Sequence, residues 1–113
     1  MRWPRIPRWA MPSRALVREP VESEDGGEFA PLGEARTISH VRFESAHELV
    51  GKRYVLSDGA KGLLFVDAAN SGGAYGIPVG SLVQVDGREW LSASKVTPLS
   101  IDGPVHHWEV ELS

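Results

Sequence analysis

The stretch Leu82-Val83-Gln84-Val85-Asp86-Gly87-Arg88-Glu89-Trp90-Leu91 constrains this chain more than any other. Asp-Gly accepts the two positive φ angles of a type I′ turn, whose twist matches that of two antiparallel strands. Val83 and Val85 share one face, and a two-residue turn places Trp90 to return beside them. A tight hairpin of this kind points to a β protein, and the punctuation elsewhere agrees. Twelve glycines and eight prolines in 113 residues interrupt regular elements often. That density favours many short strands over a few long helices.

Further strands follow from the pattern. Residues 13–21 read as the first. Over 37–44, Ile38, Val41 and Phe43 are apolar, but the spacing from Ile38 to Val41 slips by one from strict alternation. The slip predicts a bulge, or a strand that begins only at His40. Residues 45–51 fit one helical turn ending at Gly51, 53–56 a short strand, and 57–62 a turn. Leu63-Leu64-Phe65-Val66 is a short apolar run that reads as a strand buried on both faces. Residues 71–80 hold four glycines and Pro78 and form a loop. Strands over 94–99 and 107–112 follow. In the latter, Trp108, Val110 and Leu112 lie on one face, with His107, Glu109 and Glu111 outward. The expected class is all-β: a small β-barrel or sandwich of about six to seven strands. It forms a single domain over 13–113, with long loops at 22–36 and 45–62, preceded by an extended arm over 1–12.

The arm is chemically distinct. The net charge of -3 hides an asymmetry, since residues 1–18 hold Arg2, Arg5, Arg8, Arg14 and Arg18 and no acid, while all fifteen acids lie in 19–113. A basic arm on an acidic body suits nucleic acid, an anionic surface, or the acidic body of a neighbouring copy. Three prolines in residues 1–12 oppose a helix there and favour extended backbone. Trp3 and Trp9 need a surface to pack on: the edge of the protein's own core, a neighbouring subunit, or a membrane. Arg2, Trp3, Arg5, Arg8 and Trp9 are the candidates for a subunit interface. Deleting 1–12 is expected to leave the barrel folded.

Signals for chemistry are weak. The chain has no cysteine, which rules out disulfides, thiolate metal sites and a cysteine nucleophile. No run approaches the roughly 18 apolar residues of a membrane span, and the basic start lacks the apolar stretch of a secretory signal. His106 and His107 are adjacent on a strand and should point to opposite faces, so a shared metal is not expected, even with His40 or His47 nearby. There is no G-x-S-x-G elbow, no P-loop and no base-stacking motif of the RNA-recognition type. Glu109 and Glu111 fit an outward polar face as well as a carboxylate pair. Neither an enzyme nor a bound cofactor or metal is expected.

Several segments, in order, resemble a known pattern. They are Arg5-Ile6-Pro7-Arg8, Ile38-Ser39-His40-Val41-Arg42-Phe43-Glu44, the run from Lys61-Gly62-Leu63-Leu64-Phe65-Val66 to Asp67-Ala68-Ala69-Asn70-Ser71, Asp86-Gly87-Arg88-Glu89-Trp90, Lys95-Val96-Thr97-Pro98-Leu99, and His106-His107-Trp108-Glu109-Val110-Glu111-Leu112. Together they are similar to the minor capsid proteins of tailed bacteriophages, neck proteins of the head-to-tail connector (stopper) kind. Each fragment alone is weak; their order and spacing are specific. The chain departs from that family at Glu24-Asp25-Gly26-Gly27-Glu28, which lacks the family's tryptophan. The resemblance implies a β-barrel subunit in a ring of copies, between portal or adaptor proteins and tail proteins, in the virion neck and near packaged DNA. It further implies that a loop over 45–62 helps close the lumen, with Glu48, Lys52, Arg53, Tyr54, Asp58 and Lys61 as its candidates. The competing readings are another neck component, such as a tail terminator, and a small-barrel nucleic-acid-binding protein using its arginines.

Overall fold

Alternating burial builds each wall of the molecule. The computed structural model describes residues 5–21, 32–49, 51–52, 54–100 and 103–113. Six strands, β1 (Ser13–Arg18), β2 (Arg36–Ser45), β3 (Gly62–Asp67), β4 (Leu82–Val85), β5 (Trp90–Ser100) and β6 (Val105–Leu112), form the protein. They close into a barrel in the order β1-β2-β3-β6-β5-β4, with every neighbouring pair antiparallel. The fold is thus the small all-β barrel expected. Of the strand expected over 53–56, the described residues 54–56 form none. There the backbone N–H of Ser57 goes to the Glu111 carboxylate at 2.7 Å, so the chain lies on the barrel wall by side-chain anchors. The returning arm of the expected hairpin and the expected strand over 94–99 are one continuous β5, whose register shifts between Ala93 and Lys95. Its first part pairs with β4 and the remainder with β6.

The slip between Ile38 and Val41 is a bulge inside one strand. Ser13 pairs with Val41 and Arg14 with Ser39, which leaves His40 as the extra residue at φ 53. The insertion turns Ile38 and Val41, three positions apart, both into the core. The hairpin turn also forms as predicted: Asp86 and Gly87 have φ 51 and 72, and the Arg88 N–H donates to the Val85 carbonyl at 3.1 Å. The Arg14 N–H donates to Asp86 Oδ1 at 3.0 Å. The Ser13 side chain and then that backbone bond hold the Asp86 carboxyl below its usual range.

Trp90 is not where a two-residue turn would put it. The returning strand carries one additional residue, so Gln84 pairs with Trp90 and Val83 with Leu91. Gln84 Nε2 donates to the Arg88 carbonyl at 2.8 Å and holds that extra residue. Leu91 therefore packs on the core, and Trp90 faces outward.

The core is Ala15, Val17, Ile38, Val41, Leu64, Val66, Val83, Val85, Ala93, Val110 and Leu112, closed at one end by Ile77 from the 71–81 loop. Tyr75 of that loop donates to Glu19 Oε2 at 3.0 Å, and the Arg36 guanidinium lies 3.9 Å from the Tyr75 ring centroid. Burial, followed by the Glu19 carboxylate, pushes the Tyr75 hydroxyl up to about 12. On β3, Leu64 and Val66 face this core. Leu63 and Phe65 face the opposite way, into a second cluster with Leu49 and Leu56.

Gly62, where β2, β3 and β6 meet, leaves no room for a side chain. A Cβ there would lie 2.6–2.7 Å from the Phe43 ring and against the Glu44 carbonyl oxygen. Gly62→Ala is expected to destabilise the barrel by about 1–3 kcal/mol. Urea denaturation measures this, and an unchanged midpoint would show that Phe43 moves aside freely.

Candidate functional site

Asp67 anchors the site, because β3 ends on a buried carboxylate. Asp67 Oδ2 accepts from the N–H groups of Ala69 and Asn70 at 3.0 and 2.7 Å, which turns the chain out of the barrel. Ser71 Oγ accepts from the Asp67 N–H at 2.9 Å and donates to the His40 carbonyl, tying the turn to the bulge. Residues 5–12 dock against this knot. Asn70 Nδ2 donates to the Ile6 carbonyl at 2.9 Å and Arg8 Nε to the Asn70 carbonyl at 3.2 Å. Arg5 Nη1 donates to the His106 carbonyl at 2.9 Å and lies 3.6 Å from Asp67 Oδ2. Arg42 Nη1 holds the Ala10 carbonyl at 3.1 Å.

The segment is therefore neither fully extended nor separable from the barrel. Arg8–Ala10 form one turn of 3₁₀ helix behind Pro7, a placement proline tolerates because its missing N–H is not required there. Met11 is completely buried, so removing 1–12 would open a hole in the fold and lower its stability. Among the interface candidates, Arg5 and Arg8 bind the protein's own carbonyls. Trp9 stands 84% exposed. Arg2 and Trp3 lie outside the described residues.

The 46–61 loop is strapped to the outer wall of its own barrel. Glu48 Oε2 accepts from the Ser45 N–H at 3.3 Å and Ser45 Oγ from the Glu48 N–H at 3.2 Å. This is the reciprocal box of a helical turn, and its Ser-x-x-Glu signature was present in the sequence but missed. Leu49 and Leu56 roof Leu63 and Phe65, and Tyr54 sets its ring edge-on to Phe65 at 5.7 Å. Lys52 Nζ donates to Glu44 Oε2 at 3.0 Å and Arg42 Nε to Glu44 Oε1 at 2.9 Å. Burial works to raise the Glu44 pKa, but these two cationic partners together outweigh it and hold the carboxyl below its usual range. Asp58 is exposed at a turn that Gly59 completes at φ 86. The exposed Lys61 is fixed by its N–H to the Leu112 carbonyl at 2.6 Å. Arg53 lies outside the described residues.

Described residues line two concavities. A groove of about 190 Å³ runs between residues 54–56 and the outward faces of three strands, with Leu63 from β3, Lys95 and Thr97 from β5, and Glu109 and Glu111 from β6. Glu111, expected outward and solvated, is 5% exposed, because the Ser57 backbone caps it. A second cavity of about 250 Å³ opens at the barrel end opposite Ile77, with Phe43, Val85 and Leu91 inside and Lys61, Arg88 and Glu89 at its rim.

His106 and His107 do meet, contrary to the expectation from strand geometry. The β5–β6 register shifts between Leu99 and Ser100, and the two Nδ1 atoms come within 2.9 Å, one ring donating to the other. His107 Nε2 lies 3.5 Å from Glu109 Oε1. Among the described residues no group of three or more His, Asp and Glu is placed to hold a metal ion. No family model, curated protein or solved structure matches the chain.

Two outcomes follow from the buried carboxylates. Asp67→Ala strands two N–H groups and removes the Arg5 ion pair, and is expected to cost about 2–4 kcal/mol by urea denaturation. Glu44 ionises at lower pH in the fold than in the unfolded chain. Its contribution is therefore present above the unfolded value and lost as pH falls through the folded one. The stability gap between wild type and Glu44→Gln should be widest near neutral pH and narrow on acidification. A gap independent of pH would contradict the assignment.

Proposed function

We propose that this chain is a structural subunit of a tailed-bacteriophage neck, one copy in a head-to-tail connector (stopper) ring that joins portal or adaptor to tail and helps retain packaged DNA. The observation that carries this reading is the ordered set of segments resembling that family. They coincide with β2, with β3 and its Asp67 turn, with the Asp86-Gly87 hairpin, and with β5 and β6. A resemblance that tracks the elements closing a barrel is hard to produce by composition alone.

Surface chemistry supports the same reading. An exposed tryptophan sits on one part of the wall, and a groove edged by carboxylates on another. Unlike patches on one subunit suit head-to-tail contacts, which close into rings. The 46–61 loop, lying on the wall in the single chain, still projects Val55, 94% exposed, toward whatever a ring would bring opposite it.

Cryo-electron microscopy of virions from a phage carrying this gene tests the proposal. A ring of this chain below the portal is the expected result. Its absence from the particle would overturn the neck reading. Duplex binding that weakens steeply with salt would then favour the nucleic-acid alternative.

A further inference from the structure

We infer that Trp9 of one copy inserts into the groove beneath residues 54–56 of the next copy, making this knob and hole the contact between neighbouring subunits. The inference rests on the ring reading and specifies its interface.

Trp9 is held out, not merely left out. Its backbone is fixed in the 3₁₀ turn, Met11 is buried two residues on, and Arg8 is tied to Asn70. The indole nevertheless points to solvent at 84% exposure. With the backbone fixed, only the two side-chain torsions of the indole remain to be ordered on binding, which is the profile of an interface anchor.

The groove matches that anchor in size and sign. At about 190 Å³ it falls below the roughly 300–1,000 Å³ of small-molecule sites and is on the scale of one aromatic side chain. Tyr54, Val55 and Leu56 supply most of its exposed apolar lining. Its charged lining is Glu109, Glu111 and Lys95, so carboxylates outnumber the single cation. Arg5 and Arg8 precede the tryptophan in the same docked segment, and each guanidinium keeps donors beyond those it spends on its own chain. The cavity at the barrel end has the wrong sign for the same knob, with Lys61 and Arg88 against Glu89 at its rim.

Knob and hole lie on different parts of the barrel wall, the first outside β2 and the second outside β6 and β5. Each copy therefore receives one neighbour and offers itself to another. Such contacts propagate around a ring, whereas a twofold dimer would use the same patch on both copies.

Photo-cross-linking tests this, with p-benzoylphenylalanine replacing Trp9 so that an aromatic knob is retained. Concentrated full-length protein is mixed with isotope-labelled copies, illuminated, and mapped by mass spectrometry. The expected product joins residue 9 of one copy to residues 54–56 or Thr97 of another. Glu109→Gln should lower its yield about fivefold, the effect of losing an exposed ion pair. Cross-links to other regions, within-chain products only, or no inter-chain product would each overturn the inference. A neck ring in virions without this cross-link would reject the knob-and-hole contact alone. The cross-link without a neck ring would reject the neck location alone.

Discussion

The structure depends on one strand being apolar on both faces. Leu64 and Val66 commit β3 to the barrel interior, and Leu63 and Phe65 then emerge on the outside. Leaving two such side chains in water would forgo about 1.5–3 kcal/mol each. The 46–61 loop supplies the roof with Leu49 and Leu56, and the roof needs fastening. The Ser45–Glu48 box, the Lys52–Glu44–Arg42 chain and the Ser57–Glu111 bond are those fastenings. Burial of Glu44 and Glu111, both on strand faces a simple alternation would leave wet, is thus a consequence of four apolar residues at 63–66.

What was legible in the sequence was whatever depends on the local chain. The broken alternation between Ile38 and Val41 contained the His40 bulge. Asp86-Gly87 contained the turn, and Leu63-Leu64-Phe65-Val66 contained a doubly buried strand. Errors occurred where tertiary contacts decide. Trp90 faces outward because one residue is added after the turn, held by Gln84, and nothing in Arg88-Glu89 announces that. Residues 54–56 have strand composition but no neighbouring strand edge, since β3 is already paired with β2 and β6. The meeting of His106 with His107 requires a register shift fixed by the β5–β6 pairing.

The site was legible in part. Arginine and tryptophan in the first residues were visible as an interface candidate, but composition could not separate their roles. Arg5, Arg8 and Met11 fasten the segment to Asp67, Asn70 and the core, and Trp9 alone is presented. The groove was invisible, because its walls come from three strands and a loop distant in sequence and its acids were read as a solvated face.

Barrel closure also limits how such a subunit can associate. Four strands have partners on both sides over most of their length, which removes the hydrogen-bonding edges through which β proteins add strands. The exceptions are β2, which exchanges β1 for β3 at Val41 and bridges Gly72 at Ser39, and β5, paired with β4 only over residues 90–92. Beyond that point its outer edge carries Lys95 and Pro98, a charge and a residue without an N–H, and both oppose strand addition. With backbone pairing blocked, specific contact between copies has to come from side chains standing on the walls. On the described surface the side chain with the largest apolar area so presented is Trp9, and the concavity of matching size and opposite charge lies under residues 54–56. In the proposed ring, the closure that stabilises the single chain would thus direct association toward knobs and holes.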